Sequence, residues 1–172
     1  MHSDLLDRLG YRLNQPGPVR TAAQRVLATD GLTAVNRNVA QPLDRWALRL
    51  SGGRATVTTA LTGLPVVFLT TTGARTGLPR TAPLVGIPIE GSLGLIGSNF
   101  GGPSHPGWVH NLTAEPRAKV RYRLTEVDVV TELADAERRD EVWATAIRMY
   151  AGYAGYRAKA GRDIRVFVAR PV

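Results

Sequence analysis

The chain has 172 residues, no cysteine, and 22 Lys plus Arg against 14 Asp plus Glu, a formal net charge of +8. That length buries a core of its own, and the absence of thiols excludes disulfide frameworks, thiolate metal sites and cysteine nucleophiles. The positive balance, mostly Arg, favours an anionic partner gripped through phosphate or carboxylate groups, with an Arg-rich surface of no specific use as the plain alternative.

Short helices are predicted near residues 3–9 and 18–28, separated by a turn-rich stretch at 14–18. Leu43, Trp46, Ala47 and Leu50 recur at i, i+3, i+4 and i+7 and predict a helix over 44–50, with Arg45 and Arg49 off the apolar face. Gly52 and Gly53 end it. Residues 1–55 thus read as a helical segment and 56–172 as a β-rich domain. The most apolar run, 61–70, is too short to span a bilayer, and Asp4 and Asp7 stand where a signal sequence would be basic, so a soluble, cytoplasmic protein is expected.

From Pro65 the pattern changes. Val66, Val67, Phe68, Leu69 and three threonines predict a buried strand closed by Gly73. Strands follow at 81–89 and 93–98, then a helix over 106–114 that must stop before Pro116. A hairpin at 119–124 and 127–133 leads to a helix capped by Asp135 and running through Trp143 and Met149, and 164–169 is the last strand. About six mostly antiparallel strands with inserted helices make an α+β fold, a small barrel interrupted by helices.

Two stretches carry chemistry. Gly73-Ala-Arg-Thr-Gly-Leu-Pro-Arg80 sets two glycines around a basic residue, with a second arginine opening the next strand; it serves as an anion-gripping hairpin or as an ordinary turn. In SNFGGPSHPGWVHNL, 98–112, Gly101 and Gly102 permit close approach to a ligand, and the following helix offers free N–H groups at its start. Trp108 there suits a core anchor or a ligand contact. His105 and His110 lack helical i, i+4 spacing and a third ligand, so no metal site is expected. Ser98 lies outside any G-x-S-x-G elbow, which argues against hydrolysis. Tyr150, Tyr153 and Tyr156, interleaved with Gly152 and Gly155, read equally as a lid or a core stripe.

Taken in order, LTTTGARTGLPRTAPL, GSNFGGPSHPGWVHNL, the tyrosine triplet and the closing DIRVFVARPV resemble the deazaflavin-dependent nitroreductase family. Its members are split β-barrel oxidoreductases that use the reduced 8-hydroxy-5-deazaflavin coenzyme F420. The resemblance runs from about Leu64 to the C-terminus and makes 56–172 the cofactor-binding domain. It implies that Ala74, Arg75, Thr76 and Arg80 bind the coenzyme's phosphate and acidic tail. Thr81, Ala82, Pro83, Leu84 and Val85, with Ile96, Gly97, Ser98 and Asn99, would line the ring. Gly107, Trp108, Val109, His110 and Asn111 would complete the groove.

The same resemblance places Ser98, Tyr150, Tyr153 and Tyr156 on the substrate as the catalytic set, with Tyr153 also near the coenzyme. Hydride would pass to a small electron-poor acceptor such as a quinone, an activated alkene or a nitro compound. Family members often carry two adjacent basic residues after the first glycine, and Ala74 in the first of those places implies a weaker grip on the tail. Gly107, where a larger apolar residue often sits, would open the pocket. Two rival readings are an FMN-dependent enzyme on a similar barrel and a nonenzymatic basic binding protein. Nucleic-acid binding is disfavoured because no recognition helix or aromatic platform accompanies the arginines. Peripheral membrane contact through the 44–50 helix is compatible with catalysis, and the sequence leaves the oligomeric state open.

Overall fold

A computed structural model describes residues 4–12 and 64–172. The first helix, α1 (Leu5–Leu9), begins where the Asp4 carboxylate accepts a hydrogen bond from the Asp7 N–H at 2.8 Å and ends at Gly10. Its Leu5 and Leu9 are buried in the core of the sheet, and the Leu5 N–H donates to the Gly91 carbonyl at 2.8 Å. The helices predicted at 18–28 and 44–50 lie outside the described residues.

The strands are β1 (Val66–Thr72), β2 (Pro79–Val85), β3 (Ile87–Ile89), β4 (Ser92–Ile96), β5 (Arg117–Tyr122), β6 (Thr125–Leu133) and β7 (Val166–Pro171). Helix α2 (Gly107–Ala114) falls between β4 and β5, and α3 (Ala136–Met149) and α4 (Gly152–Lys159) fall between β6 and β7. The paired strands are antiparallel, in the order β2-β1-β5-β6-β7-β4-β3. The two outermost strands, β2 and β3, are consecutive in the chain with only Gly86 between them. Both edges of the sheet are therefore halves of one bent strand, and the sheet curls into a barrel.

The sequence reads that strand as one unbroken run over 81–89, and about six strands in all; the structure has seven because the run divides at Gly86. Alternation of apolar residues carries no mark of the bend. Tertiary contacts hold it: the Gly86 N–H donates to the Pro65 carbonyl at 3.2 Å, and the Tyr11 hydroxyl donates to the Gly86 carbonyl at 2.6 Å. Beyond Gly86, β3 pairs with β4 so that Ile87 faces Gly94. Continued backwards, that register would set Ile96 opposite Val85 and Ser98 opposite Pro83. Instead β2 leaves β4 and pairs with β1, from Val66 with Val85 to Thr72 with Pro79. The barrel is split along this line.

Two apolar clusters flank the sheet. One holds Leu5, Leu69, Leu93, Leu95, Val109, Val120 and Phe167; each fully buried side chain of this kind contributes about 1.5–3 kcal/mol. The other lies beneath α3 and α4 and joins Ile87, Ile89, Val142 and Trp143 to Tyr150, Tyr153 and Tyr156. Helix α3 can approach β4 because position 94 is glycine: a Cβ there would stand 2.7 Å from both methyl groups of Val142. Asp135 caps α3 as predicted, its carboxylate accepting from the Arg138 N–H at 2.9 Å. No helix among the described residues is long and apolar enough to cross a membrane.

Candidate active site in the split of the barrel

Where β2 and β4 part, a cavity of about 380 Å³ opens. One wall is the free edge of β2, from Thr81 to Val85, with Val66 beside it; the other is formed by Ile96, Ser98, Asn99 and Phe100. Pro106 and Trp108 lie at the entry to α2, and Tyr153 and Tyr156 come from α4. Pro83 has no N–H to offer a ladder, which is tolerated because β2 is an edge strand. The lining is mostly aliphatic and aromatic, as a slot for a planar ring requires.

Next to the slot stands the 73–80 loop. Its turn closes through the Gly73 N–H to the Leu78 carbonyl at 2.9 Å and the Gly77 N–H to the Gly73 carbonyl at 2.7 Å. A Cβ at residue 73 would stand 2.8 Å from the Thr76 hydroxyl, so this tightness needs glycine. Asn111 on α2 fastens the loop: its side-chain oxygen accepts from the Ala74 N–H at 3.0 Å and its amide donates to the Thr71 hydroxyl at 2.9 Å. The Arg75 and Arg80 side chains are exposed and make no ion pair or hydrogen bond among the described residues. Helix α2 starts after Pro106 with no side chain capping it, leaving a positive dipole end beside the same rim.

The opposite wall is less regular. After β4 the backbone turns left-handed at Asn99 (φ 48°) and Phe100 (φ 54°), conformations that cost roughly 1–2 kcal/mol per non-glycine residue. This puts the Phe100 ring edge-on to Tyr156, 5.9 Å between centroids, and Tyr156 packs on Tyr153 at 5.6 Å. Burial pushes the Tyr153 and Tyr156 phenols well above their ordinary pKa, so both are neutral, and the Tyr156 hydroxyl is hydrogen-bonded to that of Tyr150. Ser98 is buried at the cavity wall, and its hydroxyl has no protein hydrogen-bond partner among the described residues.

Of the residues singled out in the sequence, Thr81, Ala82, Pro83, Leu84, Val85, Ile96, Ser98, Asn99, Trp108, Tyr153 and Tyr156 line this one cavity. Others fall elsewhere. Val109 points into the cluster with Leu5 and is fully buried, because a helix face one residue on from Trp108 turns towards the sheet. Gly97 is occupied in pairing, its N–H donating to the Arg165 carbonyl at 2.9 Å. Tyr150 sits between α3 and α4, its ring folded over Gly152, within the outer cluster. The tyrosines are thus core residues, two of which also form a cavity wall.

His110 is exposed, edge-on to the His105 ring at 6.0 Å. Burial first, and then the neighbouring Arg162, hold the His105 pKa below its ordinary value. Sequence reading missed Val66, Phe100 and Pro106 as lining residues. Phe100 and Pro106 lay inside a stretch already marked as unusual, whereas Val66 carried only a strand signal.

A barrel opened along one strand, with an apolar slot in the split and two exposed arginines in the adjoining loop and strand, is a split β-barrel. The sequence profile of the F420H(2)-dependent quinone reductase family matches residues 43–171, and the chain belongs to that family. It is 32% identical over 110 residues to an F420H(2)-dependent quinone reductase of Mycobacterium tuberculosis, covering 60% of this chain and 72% of that protein. Among solved structures, an F420-H2 dependent reductase, FDR-A, is 34% identical with a TM-score of 0.57, covering 61% of this chain and 93% of its own. Another, described as a domain-swapped dimer, is 30% identical with a TM-score of 0.59 over 73% and 94% of the two chains. The chain is an oxidoreductase whose cofactor is coenzyme F420.

Proposed function

We propose that the slot between β2 and β4 holds the deazaflavin ring, that Arg75 and Arg80 hold the anionic tail, and that the acceptor reduced there is a quinone. The observation that carries this reading is the failed ladder: one strand edge is left apolar and without a neighbouring strand over the length of the cavity, Arg80 immediately precedes its lining residues, and neither that side chain nor Arg75 in the loop before it has a partner among the described residues. Two charge-assisted contacts, each contributing roughly 1.5–3 kcal/mol, suit a ligand with several negative charges better than one with a single phosphate. Thr76 and the N–H groups at Gly107 and Trp108 add neutral donors at the same rim.

When bound, the reduced coenzyme supplies a hydride. The protein supplies the rest. Ile96, Phe100 and Trp108 keep water from the slot, and the Ser98 hydroxyl and the neutral phenol of Tyr153 donate hydrogen bonds to the carbonyl oxygen that gains charge. No strong acid or base is needed, which accords with the lack of a catalytic dyad in the sequence. Lipid-soluble quinones would be met at a membrane surface by a cytoplasmic enzyme touching it through the 44–50 segment, which lies outside the described residues.

The test is oxidation of F420H2, followed anaerobically with a naphthoquinone, a nitroaromatic and an activated alkene as acceptors. Highest kcat/KM for the quinone is expected. Oxidation by the nitroaromatic or the alkene alone would contradict the choice of acceptor, and failure to bind F420 at all would contradict the assignment of the slot.

A further inference from the structure

The Arg162 side chain holds the irregular wall of the slot from outside. Arg162 follows α4, and its guanidinium reaches back across the 97–105 loop. Nε donates to the Gly102 carbonyl at 3.1 Å, and one terminal nitrogen donates to the carbonyls of Gly97, Ser98 and Ser104 at 3.1, 3.2 and 3.0 Å. The other donates to its neighbour Asp163's carbonyl at 3.2 Å and meets His105 Nδ1 at 2.9 Å. Arg162 forms no ion pair with a carboxylate among the described residues; the Asp163 carboxylate lies 3.6 Å from Arg139 instead. A guanidinium with four of its contacts on loop carbonyls and a fifth on the His105 ring is spent mainly on the shape of the loop.

That loop needs a restraint. Consecutive left-handed residues at Asn99 and Phe100 oppose the intrinsic preference of the chain, and within the turn the backbone contributes the Gly101 N–H to the Ser98 carbonyl at 3.0 Å and the Gly102 N–H to the Asn99 carbonyl at 2.9 Å. Ser98, Asn99 and Phe100 on this loop form one side of the slot, and Tyr153 and Tyr156, a few residues before Arg162, form another. Arg162 ties the two together.

We propose that Arg162 is a positioning residue: by binding the carbonyls of Gly97, Ser98, Gly102 and Ser104 at once, it fixes the 97–105 loop in the form that receives the cofactor. This rests on the reading of the slot as the F420 site. Lysine cannot substitute, because one ammonium has three donors on a single atom, whereas these contacts need the spread of the guanidinium fork.

The experiment compares Arg162→Ala and Arg162→Lys with the wild type by amide hydrogen exchange of the ligand-free proteins and by F420 affinity per folded molecule. In both variants exchange at Gly101 and Gly102 should accelerate about tenfold or more while the amides of β1 and β5 keep their protection, and F420 should bind about tenfold more weakly. If the alanine variant does not fold, the lysine variant carries both measurements. Unchanged exchange at 101–102 would overturn the proposal. So would loss of protection throughout the sheet with normal affinity in the folded fraction, or full recovery of affinity by lysine. Wild-type protein that fails to bind F420 would overturn the proposed function instead, since the exchange measurement is made without ligand.

Discussion

The strand that bends at Gly86 leads two lives. Past the bend, Ile87 and Ile89 are paired with β4 and buried under α3; before it, Thr81 to Val85 lose β4 and face a cavity. A few residues of the same strand thus serve stability on one side and binding on the other. The difference does not arise from apolar content, since both halves are largely apolar. It arises from what the partner strand does: β4 stays in register to Ile96 on its β7 side, then turns away into the left-handed loop that Arg162 holds. A site in this fold is an interrupted ladder.

The comparison is broken most strongly from the closed half. Leu93, fully buried beside the bend, should cost about 2–5 kcal/mol when replaced by alanine, read from urea denaturation with an unchanged slope. F420 affinity in the protein that remains folded should be normal. Conversely, Arg75→Ala and Arg80→Ala should leave stability within about 0.5 kcal/mol, because both side chains are exposed, yet each should weaken F420 binding by roughly 1–3 kcal/mol, less as salt rises. Unchanged affinity in both variants at low salt would place the anion site elsewhere.

The smallest effect concerns the phenols. Tyr153→Phe keeps the ring contact with Tyr156 and removes a donor, so acceptor turnover should fall severalfold, a rise of about 1 kcal/mol in barrier, with F420 affinity little changed. Burial raises the Tyr153 and Tyr156 pKa values above the usual value near 10. Folding therefore retains these protons, stability from this source falls only as pH rises beyond about 10, and turnover should show no alkaline limb below it. A limb near pH 9 that disappears in Tyr153→Phe would show an ionising phenol.

These regions were unequally legible in the sequence. The strand beginning at Val66, the cap at Asp135, the stop before Pro116 and the hairpin read at 119–124 and 127–133 and found at 117–122 and 125–133 follow from local chemistry, and their periodicity or capping stands in the residues themselves. The slot was legible by resemblance, through Thr81 to Val85 and Ile96 to Asn99. What could not be read was the division of the strand at Gly86, held in part by Tyr11 from far away in sequence, and the role of Arg162, most of whose partners are backbone carbonyls some sixty residues earlier that leave no pattern in side chains. The tyrosine triplet was ambiguous for a physical reason: Tyr153 and Tyr156 are core on one side and cavity wall on the other.

Amide protection on adding F420 tests the interrupted ladder most directly, because the two halves of one strand are read in the same experiment. New protection should appear at Thr81 and Val85, whose N–H groups face away from β1 into the split, and at Ser98 and Asn99, while Ala82 and Leu84, already donating to β1, and Ile87, Ile89 and Leu93, within the closed half, change little. Protection that spreads equally over both halves, or that appears away from the split, would contradict the account.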